Sequence, residues 1–165
     1  MSSQAQIRKD QIISGLIDTR NRILNAASEL SPAEQDQVFL GIWSVKDLLA
    51  HLIGWDYSNL EASEAVLEGQ LPGFYSYRDR DWTSYNARLV AEHRREDFEE
   101  LLVAVNASHR KLINFLQTIP AEEFDRDREV RFRRYKVTIS RLLQAEIKDE
   151  ERHYQQIKAF GNRKQ

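Results

Sequence analysis

The chain has 165 residues, of which 41% are hydrophobic and 30% are charged. This length and balance favour one folded domain over residues 1–165 and exclude a low-complexity or disordered chain. The absence of Cys excludes disulfides, thiolate zinc sites and a cysteine nucleophile. Because a formal net charge of −2 gives no general attraction to nucleic acid, we expect no nucleic-acid partner.

The N-terminal segment from Met1 to Asp10 is polar and contains no apolar signal core. No stretch of the chain approaches the roughly twenty apolar residues that a membrane span needs. We therefore expect a soluble, cytoplasmic protein without a membrane partner.

Apolar residues at three-to-four spacing predict a first amphipathic helix over about residues 4–30, which ends at Ser31 and Pro32. The second helix begins after Ser44, because Ser44 and Asp47 have the spacing of a capping box. It extends to about residue 68, before Gly69.

A long aromatic crossover follows over residues 69–86, and a short helical piece from about Asp81 to Glu92 leads out of it. The third helix is predicted from about Asp97 to Thr118 and, after a charged loop, the fourth from about Val137 to Phe160. No alternating strand pattern competes with these helices. The sequence therefore predicts an all-α four-helix bundle with a long crossover between helices 2 and 3.

The fourth helix carries ionisable residues on its apolar face. Glu146, Glu150 and His153 fall among apolar residues at helical spacing, and Asp149 lies at the edge of the same face. Buried charges need partners, such as an Arg, a hydrogen-bond network or a metal ion. Either Asp149 or Glu150 has the right spacing from His153 to share one ion with it, and His51 on the second helix is the candidate third ligand.

Aromatic residues of the crossover have two interpretations. They can plug the open end of the bundle, since aromatic side chains bury large areas even in loops. They can instead line a small-molecule pocket near His51, because such pockets are mostly apolar and aromatic with a few polar groups. The candidate pocket residues are Trp55, Tyr75, Trp82 and Tyr154.

A basic run from Arg131 to Lys136 mixes cations with aromatic residues. Such a run can contact phosphates, but short basic runs beside a helix start are usually solvated surface. We therefore keep the expectation that nucleic acid is not a partner.

Three segments together resemble the DinB superfamily of bacterial four-helix proteins, which includes the YfiT-like metalloenzymes and the ClbS/DfsB family. Residues 43–55, from Trp43 through His51 to Trp55, are similar to its second-helix motif. Residues 82–88 are similar to the segment entering the third helix. Residues 153–157, which begin with His153, resemble its fourth-helix motif.

The resemblance implies that His51 and His153 are metal ligands, as the matching His residues are in metal-binding members. Those members carry a further His one turn before the position of His153, where this chain has Asp149. A carboxylate there would favour harder ions such as manganese or iron over zinc or nickel.

Two functional hypotheses follow. The first is a metal-dependent transferase or hydrolase, in which His51, Asp149 and His153 hold a divalent ion and Glu150 acts as a base or orients His153. The alternative is a metal-free binding or self-protection protein of the ClbS/DfsB type, with the aromatic residues as its ligand pocket. A third hypothesis is that the exposed faces mediate self-association as a homodimer, which is common among bundles of this size.

Overall fold

Four long helices form the bundle in the computed structural model, which describes residues 2–79 and 82–163. These helices are α1 (Gln4–Ser28), α3 (Val45–Leu67), α5 (Phe98–Thr118) and α7 (Ile139–Asn162), and the short α2 (Pro32–Asp36) lies between the first two. The predicted all-α four-helix bundle is confirmed. Among the residues described, no helix has the length and apolar character of a membrane span.

The helix starts follow local capping chemistry. Ser44 forms the predicted capping box with Asp47, since the Ser44 side chain accepts from the Asp47 N–H while the Asp47 carboxylate accepts from the Ser44 N–H. Asp97 caps α5 and Thr138 caps α7 by a single hydrogen bond each, in which the side-chain oxygen accepts from the N–H three residues later. These caps fix where the site-bearing helices begin.

The long crossover between α3 and α5 contains a 3₁₀ helix (Gly73–Asp79) and α4 (Trp82–His93). Gly69 lets the chain leave α3 with a φ of +75°, a conformation that costs glycine little. A methyl group at Gly54 of α3 would lie 2.6 Å from Leu89 Cβ, so α4 packs directly on the α3 backbone. Asp81, where the predicted helical piece begins, lies outside the described residues.

The connection between α5 and α7 is not the simple charged loop that we expected. It contains the single turn α6 (Glu122–Asp125) and an antiparallel hairpin of β1 (Arg131–Phe132) and β2 (Tyr135–Lys136). Arg133 turns the hairpin with a φ of +57°. A two-residue strand is too short to show alternation in sequence.

The bundle core consists of two apolar clusters with a buried polar layer between them. Each long helix contributes one member of this layer, namely Arg20, Asp56, Ser108 and Glu150, and none is more than 2% exposed. On every helix, the residues before and after the layer belong to opposite clusters. The layer therefore divides the core at mid-height.

Candidate functional site

A cavity of about 460 Å³ opens between α3, α7, the crossover and the hairpin. It is large enough for a small organic ligand. The lining side chains are aromatic on the crossover side and polar toward α7: Trp43, His51, Trp55, Asn59, Phe74, Tyr75, Trp82, Asn86, Lys136, Val137, Arg141, Leu142, Ala145, Glu146, Asp149, Arg152 and His153.

Trp55 is the centre of the aromatic wall. Its ring lies 5.4 Å from that of Phe74 and 6.0 Å from that of Trp82, measured between centroids, in tilted or edge-on arrangements that aromatic pairs prefer. Its indole N–H donates to Asn86 Oδ1 over 2.8 Å, which holds the ring against α4. Tyr75 stacks on Phe132 with centroids 4.7 Å apart, so the hairpin closes the same wall.

His51 and His153 meet at the polar side of the cavity. Their ring centroids are 5.5 Å apart and the rings are nearly perpendicular. His153 Nδ1 and Gln156 Oε1 share a hydrogen bond of 2.8 Å, whereas the buried Nδ1 of His51 has no partner among the residues described. That Nδ1 is shielded from the cavity, so a ligand can reach only the exposed part of the His51 ring.

Burial keeps both imidazoles uncharged. It lowers the pKa of His51 from 6.5 to about 3, and the repulsion that a second protonated ring at His153 would add, together with the charge of Arg20, acts in the same direction. The pKa of His153 is also lowered by burial, against the effect of its bond to Gln156. At neutral pH this side of the cavity thus presents neutral rings.

Glu146 is a carboxyl group in the same part of the cavity and is 8% exposed. Burial, and then the negative charge of Glu150, raise its pKa from 4.5 to about 8. Burial also raises the pKa of Glu150, but the Arg20 guanidinium opposes that effect at Glu150 by a direct bond. With its pKa raised to about 8, Glu146 carries a proton at neutral pH and can donate a hydrogen bond.

The buried polar layer lies beneath this carboxyl group. Arg20 donates to both oxygens of Asp56, at 2.9 and 2.8 Å, and its Nε donates to Glu150 Oε1 at 2.6 Å. Ser108 Oγ donates to Asp56 Oδ2 at 2.6 Å. Burial opposes ionisation of Asp56, but Arg20 and these hydrogen bonds lower its pKa. The layer is an ion-pair network that leaves Glu146 without a cation of its own.

Comparison with known proteins places this architecture in a family. The family model described as the DinB superfamily matches residues 16–157. The chain belongs to the DinB superfamily. No curated protein matches it in sequence.

Two solved structures share the DinB fold seen here. One is the colibactin self-resistance protein ClbS, solved in complex with double-stranded DNA, which has 14% identity and a TM-score of 0.77 over 93% of this chain and 94% of that chain. The other is an uncharacterised protein from Escherichia coli UTI89, with 12% identity and a TM-score of 0.73 over 94% of each chain. At these identities the likeness concerns the fold.

The ClbS complex corrects one expectation from the sequence. The exclusion of nucleic acid as a partner is wrong, because a protein of this same fold was solved with bound DNA. The error lay in giving the net charge more weight than a local concentration of cations, which had been interpreted as solvated surface. Such a concentration exists here in the hairpin segment from Arg131 to Lys136.

The candidate metal ligands of this DinB-superfamily chain do not all converge. His51 and His153 are neighbours, but the Asp149 side chain is 54% exposed at the cavity rim and pairs with Arg152 at 3.0 Å. Glu150 is bound to Arg20 inside the core. Within residues 2–79 and 82–163, no three His, Asp or Glu residues are grouped closely enough to hold an ion. This arrangement supplies two imidazoles without a third ligand and does not fit a resident zinc, nickel, manganese or iron ion.

Three of the four candidate pocket residues line the cavity, and the fourth does not. Trp55, Tyr75 and Trp82 line the cavity. Tyr154 lies beside α1, where the Arg22 guanidinium is 5.4 Å from its ring centroid, and it packs against the apolar cluster rather than the cavity.

Neither Arg20 nor Asp56 of the polar layer was predicted from the sequence. Arg20 falls between Leu16 and Ile23 at helical spacing, and Asp56 follows Leu52 by one turn. A charged residue inside an apolar stripe was therefore the available signal on α1 and α3, as it was on α7.

Proposed function

We propose that this DinB-superfamily chain is a small-molecule-binding protein whose cavity takes a largely aromatic ligand without a resident metal ion. The observation that carries the proposal is the pairing of an aromatic wall with a group of buried polar side chains that are uncharged at neutral pH, namely His51, His153 and Glu146. It corresponds to a binding or self-protection role of the ClbS/DfsB type. The metal-dependent transferase or hydrolase has less support, because Asp149 and Glu150 are engaged with Arg152 and Arg20.

The chemistry of binding follows from the two sides of the cavity. Trp55, Phe74 and Trp82 offer ring faces and edges against which an aromatic ligand can stack. His51 and protonated Glu146 offer polar contacts without a buried charge. A neutral polar side is easier to dehydrate than a charged one, which favours ligands of low charge density in this part of the cavity.

Titration with phenylnaphthylamine, a neutral aromatic dye, tests the proposal by fluorescence. Ala145 lines the cavity and is exposed, so Ala145→Phe should fill the space without disturbing the core and weaken dye binding about tenfold or more. Ala159→Phe, at an exposed position of the same helix outside the lining, should bind as the wild type does. Equal binding by wild type and Ala145→Phe would remove the cavity as the binding site.

Elemental analysis of protein purified without an affinity tag distinguishes the metal hypothesis. We expect no stoichiometric transition metal after dialysis against zinc, nickel, manganese or iron salts and desalting. One tightly held ion per chain, lost in His51→Ala, would instead support the metal-dependent enzyme.

A second candidate function is contact with nucleic-acid phosphates through the hairpin, favoured by the exposed Arg133 and Arg134 at its turn. Such contact would weaken steeply with salt, because bound phosphates release counterions. Fluorescence anisotropy of a labelled DNA duplex measures it. The double variant Arg133→Gln and Arg134→Gln should reduce affinity and the salt slope, and unchanged values would exclude the hairpin as the contact.

A further inference from the structure

We infer that the ligand of this cavity carries an acidic group, a carboxylate, sulfonate or phosphate, which Arg141 binds at the cavity mouth beside Lys136. This inference rests on the proposed binding function and names the class of its ligand: an aromatic acid, with its rings against Trp55 and its acidic group outermost.

The cavity mouth carries more positive than negative charge. Lys136, Arg141 and Arg152 line it, and the ionised carboxylate among the lining residues is Asp149. That carboxylate is bound to Arg152 at 3.0 Å, while Glu146, deeper in the cavity, is held protonated by its surroundings. Lys136 and Arg141 therefore have no carboxylate partner among the described residues that line the cavity.

Arg141 is the cation best placed to bind a ligand. Its Nη1 donates to the carbonyl of Lys136 over 3.3 Å, and none of the carboxylate side chains that the structure describes lies within ion-pair distance of it. Lys136, in contrast, is 3.6 Å from Asp127 Oδ2. A guanidinium with free N–H groups forms paired hydrogen bonds with the two oxygens of a carboxylate, sulfonate or phosphate.

The other end of the ligand is defined by His51. This residue is 8% exposed and lines the same cavity beside the ring of His153. The cavity thus offers a polar contact at depth, an aromatic wall and a cation at the mouth.

Two dyes with the same aromatic skeleton test the charge requirement. Anilinonaphthalene sulfonate carries an acidic group that phenylnaphthylamine lacks, and their dissociation constants are measured by fluorescence titration. We expect the sulfonate to bind the wild type more tightly. Arg141→Gln should weaken sulfonate binding about threefold to tenfold and change phenylnaphthylamine binding less than about twofold.

Matched variants separate a local contact from a change in total charge or in folding. Arg134→Gln removes an exposed cation that does not line the cavity and should leave both dyes unaffected, whereas Arg141→Lys should retain most of the preference for the sulfonate. Equal effects of Arg141→Gln on the two dyes, or equal effects of Arg141→Gln and Arg134→Gln on the sulfonate, would overturn the inference. Failure of phenylnaphthylamine to bind the wild type would instead overturn the proposed binding function, and the inference with it.

Discussion

Glu146 shows how one residue links the cavity to the stability of the bundle. Its pKa is raised from 4.5 to about 8, first by burial and then by Glu150. In the unfolded chain this carboxyl group ionises near pH 4.5, so above that pH the folded state binds more protons than the unfolded state. The free energy of unfolding therefore falls as pH rises from 4.5 to about 8.

We predict that Glu146→Gln, which cannot ionise, flattens this dependence and unfolds at higher urea concentration than the wild type at pH 8, by on the order of 2 kcal/mol. The lowered pKa values of His51 and His153 reduce stability only below about pH 6.5, so the range from pH 6.5 to 8 excludes the contribution of both histidines. Urea unfolding followed by circular dichroism across this range is the measurement. Glu64→Gln, an exposed position of α3, is the control, and parallel pH curves for wild type and Glu146→Gln would contradict the prediction.

At the residue scale, sequence periodicity predicted which ionisable side chains are buried but did not predict which residues they contact. The stripe on the fourth helix drew attention to Glu146, Glu150 and His153, and all three are buried. Spacing on one helix does not specify what faces it across the bundle, however, and the partner of Glu150 is Arg20 on α1. For that reason the same pattern was compatible with a metal ion, an Arg or a hydrogen-bond network.

At the element scale, α4 is positioned by contact with one glycine of α3. A side chain at Gly54 would meet Leu89 at 2.6 Å, and α4 carries Trp82 and Asn86 of the cavity wall. The packing of α4 on α3 therefore sets the width of the cavity as well as the stability of the crossover.

We predict that Gly54→Ala pushes α4 away, destabilises the protein by roughly 1–3 kcal/mol and weakens phenylnaphthylamine binding. Gly161→Ala, where the added methyl group would meet Leu30 at an ordinary 3.6 Å, should be neutral or slightly stabilising because alanine favours helix. Thermal unfolding and dye titration of both variants give the comparison. Wild-type affinity in Gly54→Ala would mean that α4 does not shape the cavity.

The helices were predictable at this scale because each combines a long apolar period with a capping residue such as Ser44 or Asp97. The hairpin was not, since its strands have only two residues each and Phe132 packs on Tyr75 of the distant crossover. Contacts between segments far apart in sequence leave no periodic signal in either segment.

At the scale of the whole molecule, the polar layer is the feature that all four long helices share. Arg20 forms ion pairs with both Asp56 and Glu150, and all three side chains are at most 2% exposed. Such a layer contributes less to net stability than apolar packing would, because three charges have lost their hydration. It fixes the relative height of α1, α3 and α7, since sliding any one helix would separate buried charges.

Removing the central cation should therefore be far more damaging than removing the whole layer. We predict that Arg20→Met lowers the free energy of unfolding by about 3–5 kcal/mol, because Asp56 and Glu150 remain buried without a counter-charge. The triple variant Arg20→Met, Asp56→Leu and Glu150→Met should recover most of this loss, since it also removes the Glu150 oxygen that has no partner among the described residues. Arg22→Met, two residues along the helix at a side chain 40% exposed, should cost less than about 1 kcal/mol. Urea unfolding of the four proteins measures the differences, and a triple variant no more stable than Arg20→Met would show that the layer contributes net stability as well as helix alignment.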